Sequence, residues 1–141
     1  MSAFNSISQL IKSRRSIYPQ HYTEQVIDKD IIEAIIENGT WAPNHKKTEP
    51  WRFIVFHSEA GRQSLSDYFA EYYQKNTAPE NFSEIQQKKA SEKPMQSACV
   101  IAIVLQHHPG GIVPDWEEIA AVSCSVQNMW LSCTAAGLGS Y

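Results

Sequence analysis

Cysteine is scarce in this chain. Three residues, Cys99, Cys124 and Cys133, are an odd number at spacings that fit neither a disulfide framework nor a zinc site. All three are expected to be reduced residues of the core. Long apolar runs are missing too: the densest covers only residues 98–105, far short of the roughly 20 residues that cross a bilayer. Neither sign of charge dominates, with 12 Lys and Arg against 15 Asp and Glu and a net charge of -3. Nothing in that balance favours nucleic acid or an anionic membrane as a partner. The opening residues lack the order of a signal peptide, since Lys12, Arg14 and Arg15 follow the first apolar positions instead of preceding them. A cytoplasmic location is expected. There is no Walker loop, zinc motif or nucleophile elbow. His107-His108 stands beside Pro-Gly-Gly and reads as an exposed turn, not as a metal site.

The chain does hold the makings of one globular domain. It has 141 residues, 43% of them hydrophobic and 19% charged, enough to bury a real core. Phe4, Ile7, Leu10 and Ile11 form a helical stripe that ends at Arg14-Arg15-Ser16. Asp28 is placed to cap a second helix, Ile31, Ile32, Ile35 and Ile36 line its face, and Asn38-Gly39 is expected to stop it. Residues 51–57 and 98–105 are so apolar that two strands buried on both faces are expected. Residues 59–75 have a helical pattern, and the polar stretch 76–94 leaves a short helix or a mobile cover open. Asp115 and Glu118 make a plausible capping pair for a last helix running to Ala136, with Gly137 as its stop. That helix is rich in small residues, among them Ala120, Ala121, Ser123, Cys124 and Ser125. About 22 residues reach roughly 33 Å, so it should be central or packed on its twin across a dimer axis.

Three segments offer chemistry, and each has a plainer reading beside it. Arg14-Arg15-Ser16 suits a phosphate, because guanidinium groups give planar, multi-donor contacts; cations at a helix C-terminus also complement its dipole. The stretch Trp41 to Trp51, with Asn44, His45, Lys46, Lys47 and Thr48, has the mixture of aromatic rings and donors that lines a pocket. Alternatively it is a rigid surface loop with Trp51 in the core. The exit Ala135-Ala-Gly-Leu-Gly139 allows close approach of a flat ligand, or is a glycine cap.

Together these pieces resemble the nitroreductase family, in its small bacterial NAD(P)H nitroreductase branch, the YdjA-like proteins. The likeness lies in their order: a helix ending Arg14-Arg15-Ser16, a helix closed by Asn38-Gly39, then Ala42-Pro43-Asn44-His45-Lys46 leading to Glu49-Pro50-Trp51-Arg52-Phe53, and a small-residue helix ending Ala136-Gly137-Leu138-Gly139. The resemblance implies an α+β fold, a mixed sheet surrounded by helices with a long central helix, and FMN at the interface of a homodimer. It implies that Arg14, Arg15 and Ser16 hold the phosphate and ribityl chain of FMN. Trp41 and His45 would reach the flavin from the partner subunit. Ser132, Cys133, Thr134, Ala135, Ala136 and Gly137 would meet the nicotinamide nucleotide. It implies an enzyme that passes a hydride from NAD(P)H through FMN to a nitroaromatic, quinone or similar acceptor in a ping-pong cycle, with no catalytic side chain and no metal. The alternatives are a flavin-binding storage or sensor protein without turnover and a dimeric interaction domain. Residues 1–141 are read as a single domain. Gly137 to Tyr141 reads as a helix exit feeding a strand, so a truncated chain lacking the C-terminal strand and extension is expected.

Overall fold

The structure is a computed structural model that describes residues 2–141. The elements are α1 (Ala3–Ser13), α2 (Lys29–Thr40), β1 (Trp51–Phe56), α3 (Glu59–Asn76), α4 (Glu84–Met95), β2 (Val100–Leu105) and α5 (Asp115–Ala135). The class is α+β, with β1 and β2 paired in a two-stranded sheet. The sheet is smaller than the mixed sheet expected, because two strands make only one pairing. Among the described residues no helix is long and apolar enough to cross a membrane. The chain divides into two compact units. One holds the residues up to Tyr18, Ile27–Ile54 and Ile103–Tyr141; the other holds Pro19–Val26 and Val55–Ala102.

In the first unit α2 packs along α5. Ile32, Ile35 and Gly39 are the buried stripe of α2, and Glu118, Ala121, Ser125 and Met129 that of α5. Both follow the three-and-four spacing of a helix face. Gly39 does not stop α2, as the sequence suggested; the helix runs on to Thr40. The glycine is there because a Cβ would meet Met129 Cγ at 2.8 Å and Ser125 Oγ at 3.1 Å. Ala42, Trp51 and Ala121 form the adjoining core cluster, with Phe53 and Val122 against it. α1 begins on Ser2, whose hydroxyl accepts from the Asn5 N–H, and ends at Arg14, whose N–H bonds Leu10 O. Its apolar stripe stays open: no residue of α1 is buried, and Phe4 and Ile7 are 78% and 58% exposed.

In the second unit α3 and α4 lie against each other. Ser66 Oγ donates to Ser91 O at 2.6 Å and Gln87 Nε2 to Ala70 O at 3.0 Å. The polar stretch after α3 thus holds a helix from 84 to 95, not a mobile cover, with Pro94 in its last turn.

Several expectations are corrected. The strands are not buried on both faces: Ile54, Val55, Ile103 and Val104 are exposed, because a two-stranded sheet offers too few neighbours to cover them. No disulfide joins the cysteines among the described residues, but none is a fully buried core residue, and Cys124 is exposed. Asp115 and Glu118 form no cap. The N-cap position is Pro114, without a side-chain cap bond, and Glu118 turns elsewhere, as described below.

Candidate functional site

The segment 14–16 and the C-terminal end of α5 come together. Arg14 lies over the Trp130 ring, with its guanidinium carbon 4.6 Å from the ring centroid, a cation–π contact. Ile17 N donates to Ser140 O at 3.0 Å, and the Tyr18 and Tyr141 rings are 4.5 Å apart. The two arginines differ in role. Arg15 Nη1 donates to Lys12 O and Arg14 O at 2.7 and 2.8 Å. It satisfies carbonyls at the helix end, as the plainer reading holds. Arg14 Nη1 is buried with no acceptor among the described residues, and so is Trp130 Nε1. Unpaired buried donors are uncommon and costly. Ser16 is exposed.

The exit of α5 is a Schellman turn. Gly137 has φ +73°, its N–H bonds Thr134 O, and Leu138 N bonds Cys133 O at 2.8 Å. The glycine is thus explained by the helix ending. Ser132 Oγ donates to Asn128 O and accepts from Asn38 Nδ2, and Thr134 Oγ1 donates to Trp130 O. Burial pushes the Cys133 thiol above its ordinary value, against a smaller lowering from Ser140. It is a poor candidate for a thiolate nucleophile. Ala135, Ala136 and Gly137 are exposed.

The loop between α2 and β1 separates its two tryptophans. Trp51 is a core residue, whereas Trp41 is 78% exposed. The loop makes one 3-10 turn, His45–Lys47, and Lys46, Lys47 and Glu49 have positive φ of 53°, 55° and 44°. Such backbone is unfavourable for residues with a Cβ. Contacts that hold it include Lys46 Nζ to Ile112 O at 3.2 Å, Glu49 N to Asn44 Oδ1 at 3.2 Å, and His45 Nδ1 against Glu117 Oε2 at 2.5 Å. His45 therefore sits at the start of α5 and Arg14 near its end. Glu117 and Trp130 are 13 residues apart, or about 20 Å of helix, so one chain does not bring His45 to Arg14.

Beside the loop lies a charge network that the sequence reading missed. Glu118 is 2% exposed. Its carboxylate lies 2.7 Å from His107 Nδ1 and accepts from the His108 N–H at 3.1 Å. Burial works to raise its pKa, but the His107 contact, the His108 N–H, the His107 charge and Thr48 together hold it below the ordinary carboxylate value. Asp115 Oδ1 is 3.5 Å from the same ring nitrogen. These groups lie close enough to face a metal ion, yet the imidazole nitrogen is already turned on both carboxylates. His107 is thus part of a network, not of a plain exposed turn. The sequence singles out Glu118 only as a partner of Asp115 in a cap, and its place on the buried stripe of α5 is what turns it to His107 instead. In the second unit, a cleft lined by Pro19, Tyr22, Val26, Arg62, Met95 and Ala98 includes none of the expected site residues.

An α+β fold with a long small-residue helix and an arginine-bearing turn against its C-terminal end defines a class, and comparison with known proteins gives the family. The Nitroreductase family model matches residues 11–141. The chain belongs to the nitroreductase family. It is 29% identical over 133 residues to "Putative NAD(P)H nitroreductase YfhC" of Bacillus subtilis, covering 94% of this chain and 66% of that protein. It spans about two thirds of that relative's length. The nitroreductase-like family protein of Bacillus cereus has a crystal structure that matches with TM-score 0.77 at 30% identity, over 99% of this chain and 70% of that one. The nitroreductase of Bacteroides fragilis, solved with bound FMN, shares the fold at TM-score 0.70 and 20% identity, over 94% and 66%.

Proposed function

We propose that this chain is a subunit of a homodimeric, FMN-dependent NAD(P)H oxidoreductase of the YdjA-like branch, acting on nitroaromatic, quinone or similar electron-poor acceptors. One observation carries the reading. Arg14 is stacked on Trp130, and its Nη1 and Trp130 Nε1 have no acceptor among the described residues. A phosphate suits the Arg14 guanidinium, which, unlike that of Arg15, is not committed to the helix end. The family membership and the flavin of the Bacteroides fragilis relative support the same reading.

When bound, FMN supplies the hydride exchange between NAD(P)H and the acceptor in ping-pong order. Arg14 and Ser16 hold its phosphate and ribityl chain, and Arg15 adds positive charge. Trp41 and His45 act on the site of a neighbouring copy. Within one chain His45 lies about a dozen residues of α5 away from Arg14, and an isologous pair would supply each site from both copies. The nicotinamide nucleotide approaches along Ser132 to Gly137, where Ala135, Ala136 and Gly137 present backbone without bulky side chains. No side chain serves as nucleophile.

The test is optical. Purified protein takes up FMN, turns yellow, bleaches with NADH or NADPH and recovers its colour with a nitroaromatic. Arg14→Ala loses charge-assisted hydrogen bonds of about 1.5–3 kcal/mol, so its FMN dissociation constant rises roughly 10- to 100-fold, and Arg15→Ala has a smaller effect. Protein that stays colourless with excess FMN rejects the proposal. Equal effects at 14 and 15 reject the division of labour between them.

A further inference from the structure

Glu117 stands at the third position of α5, where its charge complements the helix dipole, as do Asp115 and Glu118. Its geometry goes beyond that. The carboxylate meets His45 Nδ1 at 2.5 Å across 72 residues of sequence, and the His45 side chain is still 55% exposed. The imidazole is carried on a turn in which three residues with side chains hold left-handed backbone. That conformation persists only where contacts over-determine it. Here they come from Asn44, from Ile112 O and from Thr48 on Glu118, as well as from Glu117.

We infer that Glu117 is a positioning residue: it fixes the proton of His45 on Nδ1 and turns Nε2 outward as the atom that meets the ligand. The partner of one ring nitrogen decides what the other can do. An ionised carboxylate can only accept, so Nδ1 carries the proton. In neutral His45 the outward Nε2 then offers a lone pair to a ligand N–H, and in the charged ring it donates. The role in flavin binding rests on the reading of His45 as an FMN contact made to a neighbouring copy; the tautomer does not.

Two measurements on the full chain separate these points. The first is the nitrogen-15 NMR spectrum of the His45 ring without FMN. Wild type shows protonated Nδ1, Glu117→Ala loses that signature, and Glu117→Gln, whose amide oxygen still accepts, keeps most of it. A wild-type ring protonated on Nε2 alone, or a spectrum unchanged in Glu117→Ala, overturns the inference. The second is FMN affinity. Glu117→Ala raises the FMN dissociation constant about as much as His45→Ala, several-fold in each case. The double variant is no worse than His45→Ala, and Glu117→Gln restores most of the loss. Losses that multiply in the double variant show that Glu117 acts independently and overturn its positioning role. If wild type takes up no FMN, the flavin reading and this role in it both fall, while the NMR result still decides the tautomer.

Discussion

Glu118 illustrates how a single buried carboxylate can join segments that the sequence keeps far apart. It lies on the buried stripe of α5, accepts from His107 and the His108 N–H after β2, and reaches Thr48 before β1. Burial alone would favour the neutral acid, and the surrounding donors outweigh it, so the folded pKa lies below the ordinary value of 4.5. A lowered carboxylate pKa contributes stability that is complete above the unfolded value and is lost as pH falls through the folded one. Glu118→Gln removes the charged acceptor. It should therefore lower the melting temperature most near neutral pH, with the gap to wild type narrowing as pH drops below about 4.5. Melting curves of both proteins across this range give the check, and a gap independent of pH would show that the ionised form of Glu118 adds nothing.

At the scale of elements, the α2–α5 contact depends on what is missing from α2. Alanine at 39 would gain about 1 kcal/mol of helix propensity over glycine. Its Cβ, however, would come within 2.8 Å of Met129 Cγ and 2.9 Å of Met129 Sδ. Overpacking a tight contact costs about 1–3 kcal/mol. Gly39→Ala is thus expected to destabilise the protein by about 1 kcal/mol in urea unfolding, and Met129→Ala in the same chain should reverse the sign of the Gly39→Ala change. The glycine also shows where the sequence was legible. Hydrophobic spacing located α1, α2 and α3, continuous apolar runs located both strands, and small residues with a closing glycine located α5, because all of these are local properties. Asn38-Gly39 looked like a helix stop because that pair does end helices; the true reason was a side chain 90 residues away. At Gly137 the local reading held, since a Schellman turn needs only its own residues. The candidate site was legible to the same extent. Arg14 and Arg15 are adjacent and chemically identical, and only tertiary contacts divided one that caps a helix from one stacked on Trp130. Neither Trp130 nor Glu117 carries a local signal of its part.

Over the whole molecule, the open apolar surface is the feature that a lone chain explains least. α1 exposes Phe4, Ile7 and Ile11, and α5 exposes Trp116 and Ile119. On α5 the exposed stripe continues through Ala120, Ser123, Cys124 and Gln127, opposite in sense to the stripe buried on α2, so the helix is apolar or small on two sides. Contiguous apolar patches of this kind mark association surfaces, and small residues let a second backbone come close. A stable pair needs roughly 1,200–2,000 Å² of buried surface, for which one helix face is too little and α1 together with α5 is a reasonable source. The expected outcome is a dimer in sedimentation velocity at micromolar concentration, with a melting temperature that rises with protein concentration. Ser123→Arg sets a long charged side chain in the middle of the small stripe and should give a monomer of unchanged helix content. Because His45 and Arg14 sit at opposite ends of α5, that monomer should also hold FMN more weakly than the wild type although every residue of its own site is intact. A wild-type monomer, or a Ser123→Arg monomer with full flavin affinity, would mean that one chain completes the site by itself, and the separation of His45 from Arg14 along α5 argues against that.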